Sequence, residues 1–251
     1  MKVIQRVALM VVAIALLAIS IPVYASEMDG RIESSARKSY AFETYLQTDD
    51  IKIQSVNGVV TLTGTVSEAS HRLLARESVA GLPGVKSVDD RLEIKGEPLA
   101  EDSDAWLMMK VKTTLLFHRS VSGFKTEVTD VKDGIVTLQG KAASQAQKDL
   151  TTEYAKGVEG VKDVINQMTV AGAKTSRTVG QDVDDASITA QVKMILLYHR
   201  STSALDTSVT TKNGVVTLDG KANSADERVL AAKLVNDVNG VKSVKNLIKI
   251  E

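Results

Sequence analysis

One eight-residue phrase occurs three times in this chain, and it constrains the architecture more than any single residue does. Asn57-Gly58-Val59-Val60-Thr61-Leu62-Thr63-Gly64 returns as Asp133-Gly134-Ile135-Val136-Thr137-Leu138-Gln139-Gly140 and as Asn213-Gly214-Val215-Val216-Thr217-Leu218-Asp219-Gly220. About 20 residues after each copy stands a second shared phrase, Gly84-Val85-Lys86, Gly160-Val161-Lys162 and Gly240-Val241-Lys242. A spacing of roughly 76 to 80 residues is too long for a solenoid repeat and fits three tandem small domains.

The third copy shows what one unit should look like. Ile188, Val192, Ile195 and Leu196 recur at helical spacing, so residues from about 187 to 199 read as an amphipathic helix. Thr207–Lys212 and Val215–Lys221 alternate apolar and polar residues around Asn213-Gly214, a dipeptide that favours the positive φ values of a type I′ hairpin turn. Ser224 and Glu227 have the spacing of a capping box, and Leu230, Ala231, Leu234, Val235 and Val238 line one face of a second helix. Val241 to Glu251, with Asn246, Ile248 and Ile250 in alternation, reads as a third strand.

The predicted class is therefore α+β, in tandem αββαβ modules with two helices packed on a three-stranded sheet. The middle copy repeats the order from Leu107 to Val170. The first copy departs from it, because its leading helix, expected at about Ile32 to Leu46, carries Arg37, Lys38 and Ser39 in its middle and should be frayed or partly displaced. The boundaries read as modules at 26–96, 105–171 and 186–251, joined by connectors 97–104 and 172–185 that are rich in glycine, serine and acidic residues.

The element order, the hairpin phrase and the Gly-Val-Lys entry to the last strand together resemble the BON domain family of OsmY-like periplasmic proteins. The resemblance covers the second and third modules fully and the first except for its leading helix. It implies an exported, non-enzymatic protein associated with osmotic and envelope stress, whose modules engage phospholipid surfaces.

Residues 1–25 stand apart. Lys2 and Arg6 precede an uncharged run from Val7 to Ile21, Pro22 breaks it, and Val23-Tyr24-Ala25 supplies small residues for a signal peptidase. A cleaved signal peptide ending near Ala25 and a periplasmic mature chain are the expectation; an uncleaved anchor is the competing reading, since the run is near the lower limit for spanning a bilayer. The chain has no cysteine, which excludes both a lipid-acylated N-terminus and a disulfide framework. Each module must then be held by its own apolar core, which at such a size is marginal.

With 31 basic and 31 acidic residues the chain has no net charge, and it is not expected to bind nucleic acid. It contains no nucleophile elbow, no zinc-protease or phosphate-loop motif, and only 3 histidines, so neither catalysis, a metal nor a cofactor is expected.

The first helix of module two is apolar on two sides. Leu107, Val111 and Leu115 fall on one face, and Trp106, Met109, Leu116 and Phe117 gather on the other; Met194, Leu197 and Tyr198 repeat this more mildly in module three. Such a second face belongs against a neighbouring module, a partner or a membrane interface. The candidate lipid- or partner-binding residues are Trp106, Met109, Lys110, Phe117, Arg119, Lys193, Tyr198 and Arg200. The expected partners are an anionic phospholipid surface, or else envelope client proteins met by a soluble chaperone-like factor, and the sequence leaves the oligomeric state open. Two tripeptides, His118-Arg119-Ser120 and His199-Arg200-Ser201, close the first helices and suit either a phosphate or the capping of free helix carbonyls. Lys86, Lys162 and Lys242 read either as one cation per module for anionic lipid or as strand-edge lysines. Gly64, Gly140 and Gly220 suit a bulge or a close backbone approach.

Overall fold

The Asn-Gly and Asp-Gly dipeptides form the predicted hairpin turns in the computed structural model, which describes residues 23–122, 126–171 and 182–251. Asn57, Asp133 and Asn213 have φ values of 55°, 52° and 53°, and the glycines that follow lie between 79° and 83°, the left-handed pair that a type I′ turn needs. In module one the turn joins β1 (Asp50–Val56) to β2 (Val59–Val66), in module two β4 (Thr126–Lys132) to β5 (Ile135–Ala142), and in module three β8 (Asp206–Lys212) to β9 (Val215–Ala222).

A helix then crosses back over the sheet: α3 (Ala69–Ala80), α6 (Gln145–Gly157) or α8 (Ala225–Asn236). The last strand pairs in parallel with the second hairpin strand, which is thus central in every module. Alternate residues of the central strands are buried, Val60 and Leu62, Val136 and Leu138, Val216 and Leu218, while their neighbours face outward, so the helices cover one face only. The α+β class and the αββαβ order hold in all three copies. The expected N-cap also forms, with Ser224 Oγ accepting from the Glu227 amide at 3.1 Å, while the Glu227 carboxylate reaches one residue past the cap and accepts from the Asn223 amide at 2.9 Å.

Two expectations need correction. The last strand is continuous only in module one, as β3 (Ser87–Ile94); in the others it is split into β6 (Asp163–Asn166) and β7 (Thr169–Val170), and β10 (Ser243–Asn246) and β11 (Lys249–Ile250). An asparagine stands at each break. Asn246 Oδ1 accepts from the Ile248 amide at 3.2 Å and its Nδ2 donates to the Arg228 carbonyl at 2.8 Å. Asn166 does the same with Met168 and Lys148. In module one Asp90 likewise accepts from the Leu92 amide at 3.0 Å, with the strand unbroken.

The leading helix of module one is the other. It is α1 (Val23–Arg37), followed by a break and a short α2 (Tyr40–Thr44), rather than one helix over 32–46. It is not frayed, since Ile32 and Ala36 are buried. The polar Lys38-Ser39 break is where the chain turns, and the Tyr40 and Ala41 amides freed by it donate to Asp184 Oδ2 at 2.7 Å and Ser187 Oγ at 3.0 Å of module three.

The first helices of the other modules are α4 (Asp104–Phe117), followed by a single turn α5 (Arg119–Ser122), and α7 (Asp185–Tyr198). Each first helix carries an aspartate that reaches the hairpin turn. Asp29 accepts from the Asn57 and Gly58 amides at 2.8 and 2.9 Å, Asp104 from Asp133 and Gly134 at 3.1 and 3.3 Å, and Asp185 from Asn213 and Gly214 at 2.7 and 2.8 Å. The Ser55 hydroxyl first, then the Gly58 amide, hold the Asp29 carboxyl below the usual carboxylate range. Replacing Asp185 by alanine leaves two turn amides without a charged acceptor, and it is expected to cost about 1–2 kcal/mol in urea denaturation.

Candidate functional site: the module joins and the Trp106 cleft

The second apolar face of the first helices is spent largely inside the chain. On α7 nearly every residue from Ala186 to Leu196 is buried, because the sheet of module three covers one side and the other modules cover the rest. Module one lays α3 along it. Gly81, at the end of α3, has Ala186 so near that an added Cβ would come within 3.2 Å of it, and Lys193 donates to Glu77 at 2.7 Å. Burial alone would raise the pKa of Glu77, but the hydrogen bonds from Lys193 and Arg76 outweigh it and hold the carboxyl below its usual range.

Modules two and three meet by a quasi-two-fold exchange. The Arg119 amide donates to the Asp237 carbonyl at 2.9 Å, and its counterpart Arg200 donates to Gly157 at 2.9 Å. The Asn239 amide donates to Phe117 and the Glu159 amide to Tyr198, at 3.0 and 2.8 Å. The guanidinium of Arg119 donates to the carbonyls of Asn236 and Val241, and that of Arg200 to Lys156, Val158 and Val161. Each His-Arg-Ser tripeptide therefore caps free carbonyls at the C-terminus of a helix, as the capping reading holds, but the helix belongs to the other module. Each module offers the same patch to the other, the arrangement of a homodimer interface drawn within one chain.

The eight residues singled out in sequence can now be placed. Phe117 and Tyr198 are buried in the joins, and Met109 is buried as well. Burial, and then the charge of Glu68, push the Tyr198 phenol up to about 12. Lys110, only 8% exposed, donates to the Glu159 carbonyl at 3.0 Å and stands 5.9 Å from the centre of the Tyr198 ring. Burial lowers its pKa against the opposing pull of Glu159 and Asp102. Arg119, Arg200 and Lys193 make the inter-module bonds given above. Of the two readings of the outer helix faces, Met109, Lys110, Phe117 and Tyr198 take the packed one, being buried, while Arg119 and Arg200 stay exposed and Lys193 half-buried as they bond across a join.

Trp106 is half-buried at a cleft of module two. Its helix starts with Ser103 Oγ accepting from the Trp106 amide at 3.1 Å. The cleft, about 500 Å3, is walled by Trp106, Leu107, Lys110, Asp133, Glu159 and Lys162. Farther along, α4 exposes Lys112 and Leu116. Lys162 is exposed, but its stem is held: Cγ and Cδ lie over Gly134, as those of Lys86 and Lys242 lie over Gly58 and Gly214. These lysines thus shield the turns with their methylenes and keep the charge in water.

The aspartates at the turns and the partners of the joins, Tyr154 and Asp237, were not read from sequence. The aspartates had a signal: aligning the three copies on the turn places Asp29, Asp104 and Asp185 each 28 or 29 residues before it. Tyr154 and Asp237 had none, because Leu234 and Gly157 occupy the matching places in the other copy.

The sequence pattern of the BON domain matches residues 28–96, 103–172 and 184–251. Among curated proteins, Osmotically-inducible protein Y of Escherichia coli K12 is 32% identical over 200 residues, covering 79% of this chain and 96% of that protein. Outer membrane lipoprotein DolP of Haemophilus influenzae is 32% identical over 117 residues, covering 47% of this chain and 58% of its own. Among solved structures, CdsD, a structural protein of the type III secretion system of Chlamydia trachomatis, is matched over 88% of this chain and 90% of that one at 17% identity, with a TM-score of 0.24, a likeness too loose to bear on the fold.

Proposed function

The chain belongs to the BON domain family, and from that premise we propose that it is a non-enzymatic, osmotic-stress and envelope-associated protein of the periplasm that binds phospholipid surfaces. The observation that carries this reading is the 32% identity to Osmotically-inducible protein Y through 96% of that protein's length. The name of the DolP relative, an outer membrane lipoprotein, supports the envelope setting. Export would follow removal of the leader near Ala25; residues 1–22 lie outside the described residues, as does most of the connector 172–185.

The contact surface proposed is the Trp106 side of module two. There a half-buried indole stands beside exposed Lys162, with Lys112 and Leu116 farther along α4, a pairing of amphipathic ring, apolar side chain and cation that suits head-group depth. Each lysine contributes on the order of 1 kcal/mol near an anionic surface. Co-sedimentation with vesicles of graded anionic content is expected to show binding that rises with anionic lipid and falls as salt screens it. Trp106 is the only tryptophan, so a blue shift of the emission would place this cleft at the surface. The double change Lys112→Glu with Lys162→Glu is expected to lower binding at least about tenfold, the loss of two such contributions; unchanged binding refutes this placement.

A soluble, chaperone-like factor is the second reading. It is favoured by a groove of about 330 Å3 between modules one and three, with Leu73, Met194, Leu197, Leu205 and Val209 in its wall, that could receive an apolar client side chain. Client binding of that kind would be insensitive to salt, which separates it from head-group binding.

A further inference from the structure

The join of modules two and three is symmetric in its backbone but not in its ionisable groups. On one half His118 is fully buried and stacks on Tyr154 with 3.8 Å between ring centroids, and its Nδ1 lies 3.5 Å from the Asp237 carboxylate. Asp237 also accepts from Ser120 and from Tyr154, the latter at 2.7 Å. On the other half Gly157 stands where Asp237 would be, and the His199 ring lies directly on it, so that a Cβ at Gly157 would be 2.7 Å from Nε2 and 2.8 Å from Cδ2.

His199 thus lacks the carboxylate that His118 has, and its Nδ1 is committed. The Ser201 amide donates to Nδ1 at 3.2 Å, which puts the proton of the neutral ring on Nε2. A second proton must enter at Nδ1, where it would break that bond and set donor against donor. The helix carbonyls that would otherwise favour a cation here are already in use: Arg200 takes those of Lys156, Gly157, Val158 and Val161.

We propose that His199 is an acid sensor in the join, and that its protonation releases module three from module two. The charged groups around it favour release. Arg200 flanks it in the chain, and His118 acts on it from the end of α4. From the end of α6 come Lys156, paired with Asp163 at 3.3 Å, and Glu159, which is 3.9 Å from Lys110. Asp237, at the end of α8, is engaged by Tyr154, Ser120, Arg119 and His118. Among the described residues no carboxylate is paired with His199. Burial, then the charges of Arg200 and His118, lower its pKa from 6.5 to about 4. Because the folded form binds this proton less readily than the unfolded chain, the join is at full strength above pH 6.5 and weakens as pH falls from there towards about 4. The inference does not depend on membrane binding.

The absence of cysteine makes the test direct. A donor and an acceptor dye on Lys141→Cys and Lys245→Cys, exposed positions of modules two and three, would report their separation in the full chain. Energy transfer is expected to be constant above pH 6.5 and to change reversibly between 6.5 and about 4. His199→Asn, whose Oδ1 can take the Ser201 amide without titrating, is expected to move that change down by at least about one pH unit. A wild-type profile in the variant, or constant transfer in the wild type down to pH 4, overturns the proposal. Should the variant fail to fold by circular dichroism, the His199 ring of the wild type followed by NMR decides instead. Titration in step with the transfer change supports the sensor, and titration near pH 6.5 with transfer unchanged overturns it.

Discussion

Phe117→Ala is expected to cost about 3–5 kcal/mol and to loosen all three modules together. Phe117 ends the first helix of module two, yet its ring, 1% exposed, is buried with the residues of the core shared by modules one and three. It meets the Tyr45 ring at 5.3 Å between centroids and an interplanar angle of 61°, an edge-on contact worth something beyond the area it covers. Truncation therefore opens a cavity at the point where the modules converge. Urea denaturation followed by far-ultraviolet circular dichroism should show a single transition moved to lower urea. Leu116→Ala, one position earlier and 46% exposed, should stay within about 0.5 kcal/mol of wild type. A loss below about 1 kcal/mol for Phe117→Ala would mean that the join closes without this side chain.

The second large effect is expected at Gly220. Its φ of 140° is one that L side chains rarely adopt, and an added Cβ would fall well inside contact of the Asp206 carbonyl oxygen and 3.0 Å from Thr207 Cα. Both obstacles are backbone of the neighbouring hairpin strand, so neither can rotate away. Gly220→Ala is expected to cost about 2–4 kcal/mol, against the mild gain the same change gives at an unstrained site. Gly64→Ala should behave alike, since its Cβ would meet the Asp50 carbonyl in the same way. A change in stability below about 0.5 kcal/mol at either position would show that the strands can part without loss.

These two residues also mark how far the sequence could be read. Gly220 was legible, because three internal copies keep a glycine at that place and a close backbone approach is a property of one hairpin. Phe117 was legible only as an apolar residue on a second helix face, with module packing and an outside partner both open. The His-Arg-Ser tripeptides were half legible: the capping chemistry was readable from a cation at a helix end, but the helix being capped lies in the other module, about 40 residues away for Arg200 and 120 for Arg119. The split last strands were missed because Asn246 and Asn166 fit the alternation of a strand and no local signal marks the break, as Asp90 makes the same side-chain bond within an unbroken strand.

By itself the sequence determined the module: the turn dipeptides, the strand alternation, the helix N-caps and the threefold repetition act over neighbouring residues, and their geometry follows from local backbone preference and the period of apolar side chains. Only the tertiary structure decided what the second faces of the first helices meet. Burial of an apolar face is favourable against any apolar surface, so periodicity shows that a face will be covered without showing by what. The answer rests on contacts between residues far apart in the chain, among them Lys193 with Glu77, Phe117 with Tyr45 and Arg200 with the end of α6.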